Sequence, residues 1–355
     1  KHRSQEGFGA MKPILDKIGS DPEFMAGMYA EFEFKSMPAH KLISNNKQLT
    51  LNSFIGTDGH NSIGELRPRP SHNIRQHLYD VATAIIVIDE HIKIRKDLKH
   101  INIYAYPELG GETLAGHVHM SFFVDDPLTK QALLVTRIQG LSGVLINGHT
   151  CGLNTAPPPP ITNPLTVAML AEYAEEAAAE RLITPLVVAR SMSFLLDPLE
   201  WWLQPWFSRK RRNHTYGLGN DAVRWQQDGL NPLTRPKLAD YVWMHFEYRT
   251  PSTWLVHPWM AYAYLALVKL TMVNWPLIQT LRNDPTGGFN PMLTEPKNND
   301  AKALFMRRWS LFKEKGRITR DASYIERAIR ACSDNREEWF SNYGKIRVEA
   351  WRGLL

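Results

Sequence analysis

The stretch YVWMHFEYRTP at residues 241–251 decides how the chain is organised, because it reads as a strand within a region that otherwise reads as helices. Aromatic and β-branched side chains alternate along it, and Pro251 ends it. Successive side chains of a strand point to opposite faces, so His245, Glu247 and Arg249 share one face. A lone strand is unstable among helices, and we therefore expect this one to pair with strands earlier in the chain.

That pairing predicts a single discontinuous domain of the α+β class that spans residues 25–355. We expect its antiparallel sheet to form mainly within residues 28–125, and the strand at residues 241–250 completes it. The helical part of the domain is expected within residues 160–355.

Helices flank the sheet in this prediction. Hydrophobic periodicity places a long helix from Ser71 to Lys99, with Ser71 as its N-cap. Further helices are predicted after Pro127 and at residues 164–182, 184–196, 258–273, 320–333 and 336–352.

The first 24 residues, KHRSQEGFGAMKPILDKIGSDPEF, show no regular hydrophobic period. Their end resembles a cloning-site remnant that precedes Met25 or Met28. We therefore expect residues 1–24 to be a vector-derived or disordered segment that contributes nothing to the fold.

Composition indicates a globular protein, since 43% of the 355 residues are hydrophobic and 10% are aromatic. Cys151 and Cys332 are far apart and have no metal-type spacing, which argues against a disulfide framework and against a zinc site. We expect a reducing compartment, the cytoplasm. The most apolar long stretch, residues 259–275, contains Lys269 and is short for a membrane span, so we predict a buried helix and no membrane partner.

The net charge of +6 is concentrated in SRKRRNHTYG at residues 208–217, where Arg209–Arg212 are four consecutive cations. A solvated charge run, a phosphate-binding loop and a nucleic-acid patch all fit this pattern.

Four predicted strands carry acidic, imidazole or guanidinium side chains at alternate positions, and therefore on one face. Any one of these faces is explained by contact with solvent, but four with the same chemistry favour a shared site. These side chains are Glu31 and Glu33 in MYAEFEFKS, Glu65 and Arg67 in SIGELRPRP, His117, His119 and Ser121 in LAGHVHMSFFV, and His245, Glu247 and Arg249.

Hard cations suit such a face. Mg²⁺ takes carboxylate oxygens and is usually completed by substrate phosphates, so the glutamates fit two or three Mg²⁺ ions that bridge a nucleotide, with Mn²⁺ as a substitute. Arg67 and Arg249 offer fork-shaped donors to phosphate. His117 and His119 have no third histidine or cysteine at ligand spacing, which leaves contact with phosphate, contact with one Mg²⁺ or a structural hydrogen bond.

Five motifs in this order carry a resemblance to a known family: EFEF, GTDGHNSIGELRPRP, GGETLAGHVHMSF, RRNHTYG and FEYRTPSTWL. Together they resemble the carboxylate–amine ligases of the phage type, a branch of the amidoligases that is similar in fold to glutamine synthetase and glutamate–cysteine ligase. The match covers about residues 28–256, and its most specific strings are DGHNSIGELRPRP and FEYRTPSTWL. In place of the family's glycine-rich tail after the YG pair, this chain has LGNDAVRW.

The resemblance implies a curved antiparallel sheet of the glutamine synthetase type, ATP and Mg²⁺ as cofactors, and host cytoplasm if the protein is phage-encoded. It implies catalytic roles for Glu65, Arg67 and Arg249. The metal ligands that it implies are Glu31, Glu33, Glu65, His119 and Glu247. The nucleotide contacts that it implies are His117, His119, Arg211, Arg212, Tyr216, Gly217 and Arg249.

The predicted reaction joins a carboxylate to an amine through an acyl phosphate that is made from ATP. The acid and the amine stay open: an amino acid, a polyamine, a peptide or protein terminus, and a modified nucleobase all fit. Two other functions also remain open. A phosphotransferase would use the same glutamates and arginines, and a non-catalytic nucleic-acid-binding protein would use the basic cluster.

Overall fold

Secondary structure is described here from a computed structural model. The described residues are 14–27, 41–44, 47–50, 55–57, 63–109, 112–124, 185–204, 223–226, 242–249, 251–283, 298–316, 318 and 320–355. The predicted strand at residues 28–36, the predicted helices after Pro127 and at 164–182, and the basic cluster Arg209–Arg212 lie outside these ranges.

Strands dominate the first part of the described chain. They are β1 (Ile14–Ala26), β2 (Lys41–Ser44), β3 (Lys47–Thr50), β4 (Ile55–Thr57), β5 (Ile63–Leu66), β6 (Ile103–Tyr104), β7 (Glu108–Leu109), β8 (Glu112–Thr113), β9 (Gly116–Val124), β10 (Val223–Gln226) and β11 (Val242–Tyr248).

Seven of these strands form one antiparallel sheet in the order β10–β11–β9–β1–β5–β4, and β6 also pairs with β1. β2 with β3 and β7 with β8 form two separate pairs. The predicted α+β class with an antiparallel sheet is confirmed. The predicted pairing of the late strand with the early sheet is confirmed too, because β11 pairs with β9 and places Glu247 opposite His119.

The central strand β1 was not predicted. It lies between β9 and β5, so the expectation that residues 1–24 stand outside the fold is wrong for residues 14–24. Ile18 and Phe24 are buried on its apolar face, but Ser20 and Pro22 lie between them and interrupt the hydrophobic period. Proline also lacks the N–H that an interior strand needs, which argues against a strand at the sequence level.

Helix α1 spans Ile74–Ile94, a shorter range than predicted. Its N-cap is Asn73, whose side-chain oxygen accepts a hydrogen bond from the Arg75 N–H at 2.9 Å. The predicted cap, Ser71, instead exchanges two backbone hydrogen bonds with Ile18 of β1. The helix therefore begins only after the chain has left the sheet.

The later helices are α2 (Pro185–Leu203), α3 (Pro258–Val273), α4 (Trp275–Asn283), α5 (Asn298–Gly316), α6 (Arg320–Ser341) and α7 (Val348–Arg352). The predicted range of α3, residues 258–273, is confirmed at both ends, and His257 caps its start. Near the C-terminus, α6 continues to Ser341 before a turn in which Tyr343 and Gly344 have positive φ. No helix within the described ranges is long and apolar enough to span a membrane.

One face of the sheet is apolar and packs against the helices. Its buried side chains belong to the same hydrophobic core as those of α1, α2 and α3. The buried sheet residues on this face are Ile18, Phe24, Leu66, Val118, Met120, Phe246 and Tyr248. The strand period of two then directs the intervening side chains of β1, β5, β9 and β11 to the opposite face.

His257, the N-cap of α3, makes the stability of the protein pH-dependent. Its ring stacks on Trp339 at a centroid distance of 4.1 Å, and its Nδ1 accepts the Trp259 N–H. Burial first, and then the charge of Arg347, lower the pKa of His257 from 6.5 to about 4. The stabilisation that comes from this pKa difference is complete above 6.5, the pKa of His257 in the unfolded chain. It is lost as the pH falls from 6.5 to about 4, because the unfolded chain takes up the proton more readily than the folded one.

We expect His257→Asn, which keeps a good N-cap, to remove this pH dependence. Because the ring is partly exposed, wild type should lose only about 2 kcal/mol more unfolding free energy than the variant between neutral and acidic pH. Urea unfolding of both proteins at a series of pH values measures the difference. Parallel stability curves would show that His257 does not titrate in this way.

Candidate metal and substrate site

The polar face of the sheet brings together acidic and imidazole side chains from three strands. In the register of the sheet, Asp21 of β1 lies opposite His117 of β9, and His119 of β9 lies opposite Glu247 of β11. Residues that are directly opposite in antiparallel strands share a face. Asp21, His117, His119 and Glu247 therefore point to the same side of the sheet.

The side chains of Asp21, His119 and Glu247 form a compact ligand set. One ligand atom from each lies within 4.8 Å of the others. His119 Nε2 is 3.0 Å from Asp21 Oδ2. His117 stands between two carboxylates, with its Nδ1 3.5 Å from Asp21 Oδ1 and 3.4 Å from Glu247 Oε1. Three chain segments that are distant in sequence thus meet at one point.

The two histidines keep Asp21 ionised. Burial by itself would raise the pKa of Asp21, but the neighbouring His117 and His119 hold that pKa well below its ordinary value. Burial likewise opposes the charged form of His119, yet Asp21, Glu247 and Glu65 raise the pKa of His119 above its ordinary value. Asp21 therefore contributes an ionised carboxylate to the ligand set at neutral pH.

A second pair of carboxylates lies beside this set. Glu23 of β1 and Glu65 of β5 are directly opposite each other, and their residues are 3% and 8% exposed. Glu23 Oε2 accepts the Ala115 N–H at 2.5 Å, and Glu65 Oε1 accepts a hydrogen bond from Arg67 Nε at 2.5 Å. Like charges in opposite positions of a sheet are destabilising, so a nearby positive charge would stabilise this pair.

Two arginines lie at the margins of the acidic face. Arg67 is half-exposed, and its guanidinium packs over Gly56, where an added Cβ would overlap it. Arg249 follows β11, and its Nε is 3.2 Å from Glu247 Oε1. Each arginine is held by a carboxylate but remains accessible to solvent, so both can meet an anionic ligand.

The residues fit a divalent cation. Asp21 Oδ1 is buried and has no hydrogen-bond partner within the described part of the chain. Two carboxylates and one imidazole are donors that Mg²⁺ or Mn²⁺ accepts, with waters and a substrate to complete the shell. Asp21, His119 and Glu247 would hold such an ion, and Glu23 with Glu65 offers oxygens for another.

Six of the predicted site residues lie on this face or at its margin, namely Glu65, Arg67, His117, His119, Glu247 and Arg249. Six others lie outside the described residues, namely Glu31, Glu33, Arg211, Arg212, Tyr216 and Gly217.

Sequence reasoning missed Asp21 and Glu23. They have the same spacing as Glu31 and Glu33, two carboxylates separated by one residue, which was the available signal. Both residues lie within residues 1–24, the segment expected to contribute nothing to the fold.

No protein-family model matches the chain, and a search of curated proteins gives no match. Among solved structures, the chain is similar to a bifunctional glutathione synthetase from Pasteurella multocida, with 9% identity, a TM-score of 0.42, and coverage of 95% of this chain and 50% of that chain. It is also similar to a novel glutamine synthase homologue, with 10% identity, a TM-score of 0.39, and coverage of 97% of this chain and 71% of that chain.

The chain thus spans half the length of the glutathione synthetase. At these TM-scores the two similarities carry no conclusion about activity.

Proposed function

We propose that the chain is an ATP- and Mg²⁺-dependent carboxylate–amine ligase that forms an amide or peptide-like bond through an acyl phosphate. The observation that carries the proposal is the convergence of Asp21, His119 and Glu247 from three strands onto one point. The adjacent Glu23–Glu65 pair and the two marginal arginines support it, as does the order of the motifs that resemble phage-type amidoligases. The proposal includes a curved sheet of the glutamine synthetase type.

The acidic residues hold the cations in this proposal. Asp21, His119 and Glu247 would hold one ion, and Glu23 with Glu65 would offer oxygens to another. Bound divalent cations would neutralise charge on the phosphates of ATP. Glu31 and Glu33 remain proposed ligands from the motif resemblance.

The arginines bind the phosphates. Arg67 and Arg249 each present a partly exposed guanidinium next to a site carboxylate, so a transferred phosphoryl group can be gripped from both margins. We assign the remaining nucleotide contacts to a further group of residues from the motif resemblance, Arg211, Arg212, Tyr216 and Gly217.

The chemistry follows from the poor reactivity of a carboxylate as an acyl donor. The substrate carboxylate attacks the γ-phosphorus of ATP, and ADP leaves. The amine then attacks the carbonyl carbon of the acyl phosphate, inorganic phosphate leaves, and the amine loses a proton. The acid is a free carboxylate and the amine is an uncharged primary or secondary amine at the moment of attack.

ADP release over panels of acids and amines tests this function. We expect ADP in quantity only when both an acid and an amine are present, in equal amounts with the amide product. Glu247→Gln should lower that rate by a factor of about 100 or more, because a ligand charge is lost. Glu349→Gln, which changes an exposed carboxylate of α7, should leave the rate unchanged.

Other outcomes would contradict the ligase. A phosphorylated product formed without any amine would identify a phosphotransferase. DNA retention that is salt-sensitive and unaffected by Glu65→Ala, without ADP release on any substrate pair, would identify a nucleic-acid-binding protein.

A further inference from the structure

The segment that follows β11, residues 251–254, joins the end of β1 that carries Asp21 and Glu23 to the end of β9 that carries His117. The Gly116 N–H donates to the Pro251 carbonyl at 2.8 Å, and the Thr253 N–H donates to the Leu114 carbonyl at 3.0 Å. The Thr253 hydroxyl donates to the carbonyl of Glu23 at 2.6 Å. These bonds join three chain segments beside the ligand set.

Packing leaves this segment little freedom. Trp254 donates its indole N–H to the Gly116 carbonyl at 3.1 Å. A Cβ at Gly116 would overlap the Ser252 carbonyl and the Trp254 ring, so glycine permits the close approach.

The tie acts directly on the site. Glu23 is two residues from Asp21 on β1, and Gly116 is next to His117 on β9. The Ala115 N–H also donates to the Glu23 carboxylate at 2.5 Å. A shift of residues 251–254 would therefore move ligand-bearing positions of both strands.

Glu200 of α2 holds this segment from the side of the helices. Its residue is 3% exposed, and its Oε1 accepts the Ser252 N–H at 2.8 Å. Gln204, immediately after the end of α2, donates to the Thr253 carbonyl at 3.4 Å. Burial, together with the nearby Glu200 carboxylate, raises the pKa of Tyr264 well above its ordinary value, so that phenol stays neutral.

A buried carboxylate is costly, and apolar residues of similar volume are often as stable or more stable in its place. Stability alone therefore gives a weak reason for a carboxylate here. The hydrogen bond from the Ser252 N–H to Glu200 gives a better reason for a carboxylate. The next residue, Thr253, bonds through its hydroxyl to the Glu23 carbonyl.

We propose that Glu200 is a positioning residue for the cation site, acting through Ser252 and Thr253 on the strand ends that carry Asp21, Glu23 and His117. The inference rests on the proposed function only in that the site binds a divalent cation.

Mn²⁺ affinity of the full-length chain tests this inference. Electron paramagnetic resonance measures free Mn²⁺ in a titration, without any substrate. We expect Glu200→Met to weaken Mn²⁺ binding about 10- to 100-fold, the range seen when partners of metal ligands are removed. Glu200→Gln keeps an oxygen acceptor for the Ser252 N–H and should rescue most of the affinity.

A control separates positioning from general loss of stability. Ile92→Val makes a buried change near the C-terminal end of α1, away from α2 and residues 251–254, and should lower the melting temperature without changing Mn²⁺ affinity. Equal Mn²⁺ affinities for wild type and folded Glu200→Met would overturn the inference. If wild type itself binds no Mn²⁺, the cation site of the proposed function fails instead.

Thr253 gives a second test that does not depend on the folding of the Glu200 variant. Thr253→Val removes the hydroxyl that bonds to the Glu23 carbonyl, whereas Thr253→Ser keeps it. We expect Thr253→Val to bind Mn²⁺ more weakly than wild type and Thr253→Ser to bind it as wild type does. The double variant Thr253→Val/Glu200→Met should lose less Mn²⁺ binding free energy than the sum of the losses in the two single variants, since both substitutions break the same series of contacts. Wild-type affinity in Thr253→Val would contradict the inference.

Discussion

Deletion of residues 1–24 will unfold the protein. Those residues include most of β1, which lies between β9 and β5 in the sheet. Ile18 and Phe24 are both buried, and each such side chain stabilises a fold by about 1.5–3 kcal/mol. The deletion also removes the backbone pairing of two neighbouring strands. A whole domain has only about 5–15 kcal/mol of net stability, so this loss exceeds what the fold tolerates.

Circular dichroism and thermal melting of the purified variant measure the result. Deletion of residues 1–13 is the matched control, because it leaves every residue of β1 in place and should therefore keep the melting transition. A cooperative transition at the wild-type temperature after deletion of residues 1–24 would contradict the central position of β1. It would favour residues 28–36, with Glu31 and Glu33, as the central strand instead.

Asp21→Asn will weaken divalent-cation binding by about two orders of magnitude or more and will slow ADP release to match. The substitution keeps the size of the side chain but removes the carboxylate, which His117 and His119 keep ionised. We expect Mn²⁺ affinity and the ligation rate to fall by a factor of about 100 or more, since a charged ligand is lost from a site of three. Calorimetric titration with Mn²⁺ and the ADP assay measure the two effects.

Two variants give this prediction its controls. Asp97→Asn makes the same chemical change at an exposed carboxylate that pairs with Arg95, and it should have no effect. Glu31→Gln tests the ligand that the motifs alone imply. Full Mn²⁺ affinity in Asp21→Asn, together with loss in Glu31→Gln, would move the site away from β1.

The parts of the fold that the sequence predicted depend on local patterns. The alternation in residues 241–251 predicted a strand, and a strand requires a partner in a sheet. The structure shows that this strand, β11, pairs with β9. α3 was predicted at both ends from the hydrophobic pattern of residues 258–273. The polar faces of β9 and β11 follow from the same period of two.

The parts that could not be predicted depend on tertiary partners. Ser20 interrupts the apolar face of β1, and its buried hydroxyl is matched by His77, 57 residues later. Ser71 has the sequence features of a helix cap, but its backbone N–H and carbonyl are hydrogen-bonded to Ile18. The opposition of Glu23 to Glu65 depends on register between strands, which no local pattern encodes. Glu200 is one of two acidic residues in α2, the other being Asp197, and only its tertiary contact with Ser252 distinguishes it.

Anomalous diffraction from crystals grown with Mn²⁺ tests the central claim most directly. The account predicts an anomalous peak within coordination distance of Asp21, His119 and Glu247, on the polar face where β1, β9 and β11 meet. A peak bound by other residues, with Asp21 remote from it, or the absence of any peak on this face at saturating Mn²⁺, would contradict it.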